Sequence, residues 1–225
     1  MQGILPVSIC PELSISNFVV GKNEKLLEYI NLMATDILPV LYIYGTNGSG
    51  KTHLLQAFTN LFLQKNLSVV YFNFKEKNSL ESLVDFILEA DIVLIDNIEN
   101  AKDFEQKLLF DIYNHSIDNF NLIIVGNTQP INLLLFPDLK TRLQQVLNIK
   151  LFELSDELNI KALNIKAQNK NIDIADDVFT YLQKNYSRNL KKLMAAIDIL
   201  DKESLLRKKR IGKKMVKDVL LSKIT

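Results

Sequence analysis

The chain has 225 residues, 48% apolar and 24% charged, which is enough for one α/β domain with a smaller appendage. A single cysteine, Cys10, excludes internal disulfides and thiolate metal clusters, and a zinc site is not expected from only two histidines, His53 and His115. No apolar stretch is long enough to cross a bilayer and no signal-like N-terminus is present, which predicts a cytoplasmic protein without membrane contact. The net charge of +1 hides a basic end, because residues 184–225 contain 13 Lys and Arg against 4 Asp and Glu. That end is either a solvated helical surface or a contact for phosphates or an acidic partner.

The first residues precede any periodic pattern and predict an extended tail, because Pro6 and Pro11 restrict the backbone around them. Leu5 and Val7 would expose apolar side chains there without a core to receive them. The tail is therefore either a segment that docks into a partner's groove or a disordered terminus.

The spacing of apolar residues then predicts alternating helices and strands. The predicted helices lie at about 23–33, 53–64, 80–88 and 104–116, and the predicted strands at 41–44, 68–74, 92–95, 122–125 and 149–152. This alternation implies a parallel sheet covered on both faces, with ligands at the carboxyl ends of its strands. Only helices follow from Ser155, which is a good helix cap. After the first of them, further helices are predicted at 176–184, from near 188 and at about 212–221, and together they predict a lid-like bundle.

A complete phosphate-loop pattern follows the first predicted strand, in the order Gly45-Thr46-Asn47-Gly48-Ser49-Gly50-Lys51-Thr52. The glycines let successive N–H groups converge on a phosphate, Lys51 adds a charge for the outer phosphates, and Thr52 offers a hydroxyl to Mg²⁺. The helix opening at His53 points its positive end at the same anion. We expect ADP or ATP to contact Gly45, Asn47, Gly48, Ser49, Gly50, Lys51, Thr52 and His53. Ahead of the loop, Phe18, Val19 and Val20 either wall the adenine or belong to the core.

Polar residues follow the later strands. Asp96 stands where a carboxylate can hold Mg²⁺ beside Thr52. The next position usually carries a second acid that deprotonates the attacking water, whereas Asn97 cannot take a proton. Losing a general base typically lowers a rate by about 10²–10⁴-fold, so weak intrinsic ATPase activity and nucleotide retention are expected. Glu99 is a substitute that lies past the strand end, and Asn127 either reads the γ-phosphate or the water or caps a turn.

Two arginines are candidates for contact with a phosphate. Arg142 is either one half of a surface salt bridge or a cation presented to a neighbouring subunit's phosphate. Arg188, at the start of the third lid helix, can reach back to a nucleotide.

The order of these motifs resembles the DnaA-related AAA+ family, and within it the Hda-like regulators. The similarity to the AAA+ module of DnaA is carried by Asn17-Phe18-Val19-Val20-Gly21, Gly50-Lys51-Thr52-His53-Leu54-Leu55 and Ile95-Asp96-Asn97-Ile98-Glu99. The closer similarity to Hda is carried by Phe110-Asp111-Ile112-Tyr113-Asn114, Pro137-Asp138-Leu139-Lys140-Thr141-Arg142-Leu143, Leu154-Ser155-Asp156-Glu157 and Leu200-Asp201. The resemblance implies a P-loop AAA+ module with a five-stranded parallel sheet flanked by helices, plus a small C-terminal helical lid. The implied domains are a tail at 1–11, a nucleotide-binding α/β domain at 12–153 and a lid at 154–225.

The resemblance also implies roles for single residues. Asn127 aligns with the first sensor, where relatives usually carry Asp, Arg188 with the second sensor, and Arg142 with an arginine finger that acts in trans. The hexapeptide at the N-terminus resembles a clamp-binding motif, usually Gln-Leu-x-Leu-Pro-Leu. The motif residues implied to bind the partner are Gln2, Leu5, Pro6 and Val7, of which Val7 replaces a larger residue, and Gly3 replaces an apolar one.

We therefore expect an Hda-like regulator of replication initiation. It would bind adenine nucleotide, DnaA and the sliding clamp (the beta subunit of DNA polymerase III), and would stimulate hydrolysis of DnaA-bound ATP in trans. The alternatives are an active AAA+ ATPase that loads helicase or remodels single-stranded DNA, and a nucleotide-gated adaptor that only tethers a partner to the clamp. DnaA continues past its lid into a helix-turn-helix domain, whereas this sequence ends at Thr225, so sequence-specific duplex binding is not expected. Assembly into a homo-oligomer is left open.

Overall fold

One parallel sheet organises the first two thirds of the chain. The computed structural model describes residues 15–33, 39–76 and 79–222. Five strands pair in the order β2-β3-β4-β1-β5, and every neighbouring pair is parallel. The strands are β1 (Val40–Tyr44), β2 (Val69–Asn73), β3 (Ile92–Asp96), β4 (Asn121–Gly126) and β5 (Leu147–Lys150). The predicted fold class, a P-loop AAA+ sheet with a C-terminal lid, is confirmed.

Helices connect these strands, as parallel pairing requires. The connecting helices are α2 (Lys51–Gln64), α3 (Val84–Leu88), α4 (Asp103–Asn119) and α5 (Pro137–Gln145), and α1 (Glu24–Met33) precedes the first strand. Short 3₁₀ turns lie at Ile15–Asn17, Glu81–Leu83, Ile98–Asn100 and Pro130–Asn132. Every residue of β3 and β4 is buried, which explains why these strands read as continuous apolar runs.

The strand register brings the polar strand ends to one edge of the sheet. Tyr44, the last residue of β1, pairs with Gly126 of β4, and Asn73 of β2 pairs with Asp96 of β3. The phosphate loop after β1, the acid that ends β3 and the residues after β4 therefore all leave the sheet at its carboxyl edge. This is the edge at which open α/β sheets bind ligands.

The chain divides into two compact units. The α/β unit contains the described parts of Asn23–Thr46 and Lys51–Phe152, and the helical unit contains Asn17–Lys22, Asn47–Gly50 and the described part of Glu153–Thr225. The helices of the second unit are α6 (Asp156–Asn169), α7 (Asp176–Asn185), α8 (Leu190–Arg207) and α9 (Lys213–Val216), which continues as a π-helix over Lys217–Leu221. Its own core is formed by buried apolar residues that include Leu163, Phe179, Leu193, Ile197 and Val216. In the described ranges, each helix is too short or too polar to span a bilayer.

Some predicted boundaries were wrong, for identifiable reasons. The last strand was predicted at 149–152 and lies at Leu147–Lys150, because its partner β1 ends at Tyr44, which pairs with Lys150. The helix predicted from Arg188 begins at Leu190, because Asn189 Oδ1 accepts the N–H of Lys192 and caps it. The predicted cap at Ser155 is confirmed, with its Oγ 3.4 Å from the N–H of Leu158.

Candidate functional site

The loop between β1 and α2 needs glycine at two positions. Gly48 and Gly50 have φ values of +98° and +96°, which side chains rarely adopt. At Gly48 an added Cβ would also lie 2.5 Å from Asn189 Nδ2, and that amide donates a 2.8 Å hydrogen bond to the carbonyl of Asn47. Both glycines thus permit a turn with a bare backbone, the kind of turn that presents N–H groups to a phosphate.

The lysine and threonine that end the loop open helix α2. Lys51 is buried, and its Nζ donates to the carbonyls of Gly45 (2.6 Å) and Thr46 (2.9 Å). The ammonium group is therefore fixed at the start of the loop. Thr52 Oγ1 donates a 2.8 Å hydrogen bond to Asp96 Oδ2, which joins the start of α2 to the end of β3. His53, the next residue of α2, is half-buried.

Asp96 is the one acid in the described sequence that combines complete burial with a position at a strand end of this edge. Its Oδ2 accepts hydrogen bonds from Thr52 and, at 3.1 Å, from the Tyr71 hydroxyl, while its Oδ1 is buried without a partner among the described residues. Burial raises the pKa of Asp96, and the hydrogen bonds from Thr52 and Tyr71 only partly oppose that rise. A carboxylate oxygen with unused acceptor capacity beside a threonine hydroxyl is the donor set that Mg²⁺ prefers. These residues fit the ion that the loop implies.

Sequence reasoning missed two residues here. Tyr71 lies in β2 and is buried, and burial raises the pKa of its hydroxyl, as does the Asp96 charge beside it. Asn189 touches the phosphate loop one position after Arg188, to which the nucleotide contact was assigned. Signals for both existed in the sequence, since a buried tyrosine needs a hydroxyl partner and an asparagine before an apolar helical pattern is a typical cap.

The residues after β3 and β4 form a polar cluster. Asn97 is buried, and both ends of its side-chain amide are hydrogen-bonded, to Asn73 and to Lys75. Glu99 Oε2 accepts the N–H of Asn127 at 3.2 Å, so this glutamate lies at the carboxyl edge with the others. The Asn127 side chain is exposed and makes no hydrogen bond to any described residue, so the turn-cap interpretation gains no support.

The turn that carries Asn127 is fixed from β1. Tyr42 is completely buried, and its hydroxyl donates a 2.8 Å hydrogen bond to the carbonyl of Thr128. Any side chain at Gly126 would collide with that hydroxyl and press on Ile98 Cγ2 at 3.1 Å. The end of β4 therefore has to be bare so that Tyr42 can hold the following turn.

Seven of the predicted nucleotide contacts and one sensor belong to the helical unit. Phe18, Val19 and Val20 are half-buried, and an added Cβ at Gly50 would lie 3.8 Å from the Phe18 ring. Ser49 is buried, with no hydrogen bond to its Oγ from the described residues. Arg188 is exposed, and its Nε lies 3.7 Å from Asp156 Oδ2, so its side chain is engaged within its own unit.

Arg142 lies in α5 of the α/β unit and is exposed. No acidic group of the described residues forms a salt bridge with it, which removes support from the surface-salt-bridge interpretation. Its charge is close enough to Tyr113 to oppose the rise in the pKa of that hydroxyl that burial causes. The predicted clamp-binding residues Gln2, Leu5, Pro6 and Val7 lie outside the described residues.

The sheet order, the glycine loop after β1, the acid at the end of β3 and the separate helical unit define a P-loop module of the AAA+ class. A family model described as the bacterial DnaA ATPase domain matches residues 11–152, and a second, described as the Hda lid domain, matches residues 156–220. The chain belongs to the DnaA-related AAA+ family as an Hda-like member.

Individual relatives agree with this assignment. An uncharacterized protein of Haemophilus influenzae is 28% identical over 223 residues, which cover 96% of each chain. Domain III of the DnaA protein of Thermotoga maritima superposes with a TM-score of 0.79 at 27% identity, covering 95% of this chain and 99% of that one. DnaA of Aquifex aeolicus, solved with AMPPCP, has a TM-score of 0.70 at 22% identity, covers 87% of this chain and 66% of that one, and shows the shared fold. A DnaA-type ATPase domain joined to an Hda-type lid connects the chain with the regulation of replication initiation.

Proposed function

We propose that the chain binds ADP or ATP with Mg²⁺ and retains it. Support comes from the glycine turn, the buried Lys51 ammonium at its start, and the pairing of Thr52 with Asp96. When bound, Mg²⁺ would neutralise phosphate oxygens, and Thr52 and Asp96 are the residues that would hold it or its water shell. Phe18, Val19 and Val20 are the proposed adenine contacts, and Asn127 and Arg188 the proposed sensors.

The proposed regulatory step is the presentation of an arginine side chain to a triphosphate that is bound by another protein. Arg142 carries this proposal, because it is exposed on α5 and has no salt-bridge partner among the described residues. A guanidinium held on a helix can stabilise the charge that develops on a phosphoryl group bound across an interface. Asn97 favours this role over rapid turnover by the chain itself, because its amide cannot accept a proton from water. The partner we propose is DnaA with bound ATP.

The proposed location of this act is the sliding clamp. Support comes from the resemblance of the N-terminal hexapeptide to a clamp-binding motif, with Gln2, Leu5 and Pro6 kept and Val7 in the last position. An extended peptide with apolar side chains and a fixed proline loses little backbone freedom when it enters a groove.

The test is hydrolysis of DnaA-bound ATP in the presence of clamp loaded on DNA. The wild-type chain is expected to raise the rate, and Arg142→Ala to abolish that rise while binding of ADP and of the clamp stays intact. An arginine presented in trans raises the rate of hydrolysis by about 10³–10⁵-fold in the strongest cases, and we expect a smaller increase here. Arg210→Ala is the matched control, because it removes an exposed arginine of the helical unit with no salt-bridge partner in the described ranges.

Three results would contradict the proposal. Full stimulation by Arg142→Ala would remove the assigned role from this residue. Fast ATP hydrolysis by the isolated chain, raised further by single-stranded DNA, would favour the rival remodelling ATPase. If the clamp were bound but DnaA did not respond to the wild-type chain, the adaptor interpretation would be favoured.

A further inference from the structure

The side chain of Asn97 is held toward β2, away from the strand that leads into the phosphate loop. Asn97 adopts a left-handed backbone conformation (φ 58°, ψ 46°), which asparagine tolerates better than most residues. Its Nδ2 donates to Asn73 Oδ1 at 2.8 Å, and its Oδ1 accepts from Lys75 Nζ at 2.6 Å. Asn73 ends β2 and Lys75 follows it, whereas β4 and then β1 lie on the opposite side of β3. Both polar ends of the amide are thus used on the side that does not face β1.

The same lysine also faces the second group that could orient a water molecule. Lys75 Nζ lies 4.0 Å from Glu99 Oε1, while Glu99 Oε2 accepts the N–H of Asn127. The Glu99 side chain is only 15% exposed, so its position is set by these two neighbours more than by solvent. The Lys75 ammonium group therefore lies close to both Asn97 and Glu99, the two residues after Asp96 whose side-chain oxygens lie near the end of β3.

We propose that Lys75 is a positioning residue that keeps position 97 out of the hydrolytic reaction. The inference rests on the proposed binding of nucleotide at this edge, and deepens it by naming what prevents turnover. Its consequence is that an acid at position 97 is not sufficient for hydrolysis. In Asn97→Asp, one carboxylate oxygen would form an ion pair with Lys75 where the amide now accepts a 2.6 Å hydrogen bond, and this pair would keep the carboxylate directed at β2. The other oxygen would replace the donor that now lies 2.8 Å from Asn73 Oδ1, so the Asn73 amide would have to turn its NH₂ group toward it.

Removing the lysine as well would free that carboxylate. It could then accept a proton from the attacking water as the water oxygen bonds to the γ-phosphorus and the bond from phosphorus to the ADP oxygen breaks. Asn97→Asp alone is expected to stay near the wild-type rate, and Lys75→Met combined with Asn97→Asp to exceed it by about tenfold or more, below the usual 10²–10⁴-fold effect of a general base.

The experiment is single-turnover ATP hydrolysis by the full chain, with binding of a fluorescent ADP analogue measured for each variant. Lys75→Arg combined with Asn97→Asp should remain slow, because an arginine preserves the ion pair. Lys107→Met combined with Asn97→Asp is the matched control, since Lys107 is an exposed lysine of α4 without an ion pair among the described residues. Equal rates for Asn97→Asp and the Lys75→Met double variant, with nucleotide still bound, would overturn the inference.

A second measurement does not depend on nucleotide. If Lys75 pairs with the introduced carboxylate, the changes in melting temperature caused by Lys75→Met and Asn97→Asp should be non-additive in a double-mutant cycle. Additive changes would overturn the inference even if the double variant no longer bound nucleotide. Absence of nucleotide binding by the wild-type chain would instead overturn the proposed function, and the cycle would still report on the lysine.

Discussion

Asp96→Asn is expected to stabilise the nucleotide-free protein and to remove its stabilisation by Mg²⁺. Asp96 is completely buried, and its Oδ1 has no hydrogen-bond partner among the described residues. Burial raises the pKa of this carboxyl, and hydrogen bonds from Thr52 and Tyr71 do not reverse the rise, so the folded protein favours the neutral side chain. An amide has the same shape without the charge.

The size of the effect follows from the buried charge. A buried polar group without a partner lowers stability by about 1–3 kcal/mol, and more when it carries charge; the amide leaves a polar atom at the same place and removes only the part that is due to the charge. For a chain of this length, about 1 kcal/mol corresponds to about 2–4 °C in melting temperature. We therefore expect Asp96→Asn to melt at least about 2 °C above the wild type without ligand. A ligand at about 100 times its Kd adds about 2.7 kcal/mol, and the variant should lose the share of this gain that depends on Mg²⁺.

The assay is thermal unfolding with EDTA, with ADP and EDTA, and with ADP and Mg²⁺. The order of stability should reverse, with the variant above the wild type in EDTA and below it in ADP and Mg²⁺. Asp118→Asn, which neutralises an exposed acid on α4, should change neither order. A variant that melts below the wild type in EDTA would refute the reasoning, because the carboxylate would then stabilise the empty site.

Two further predictions concern the helical unit. Gly48→Ala should weaken binding of a fluorescent ADP analogue by about tenfold to a hundredfold, because φ is +98° and the new Cβ would lie 2.5 Å from Asn189 Nδ2, a strain of about 1–3 kcal/mol. Gly212→Ala, where nothing lies within 4 Å, should bind normally, and equal affinities would contradict this account. Asp198 should contribute stability that is lost on acidification. Burial raises its pKa, but hydrogen bonds from two lysines outweigh this and hold the pKa below the ordinary value of an aspartate. The contribution is therefore present above that ordinary value and disappears as the pH falls through the folded-state pKa. Chemical unfolding at several pH values should show a steeper acid loss for the wild type than for Asp198→Asn, and parallel curves would exclude the effect.

The sequence predicts the parts of this fold and site that are encoded locally. The glycine loop, the buried strands and the acid at the end of β3 each occupy a short continuous segment, and their physical requirements are visible in residue type and spacing. The five-stranded sheet is confirmed for the same reason, since strands that alternate with helices have few other arrangements.

The contacts that were missed depend on which strands are neighbours. Tyr71 reaches Asp96, and Lys75 reaches Asn97, only because β2 pairs with β3, and no local pattern states this pairing. Asn189 was missed by one position, because apolar periodicity locates a helix better than it locates its first residue. The end of the last strand was likewise set by the length of its partner.

The contact between Tyr42 and Gly126 restricts how this protein can vary. Replacing the glycine alone forces a side chain onto a phenol that has no room to retreat, and shortening the tyrosine to phenylalanine still leaves ring carbon Cζ at 3.1 Å from the new atom. Viable changes at these two sites should thus arise as pairs, with a small residue in the first strand accompanying any side chain in the fourth. Libraries that randomise the neighbourhood of Asn127 to alter nucleotide response would do best to mutate both positions in concert.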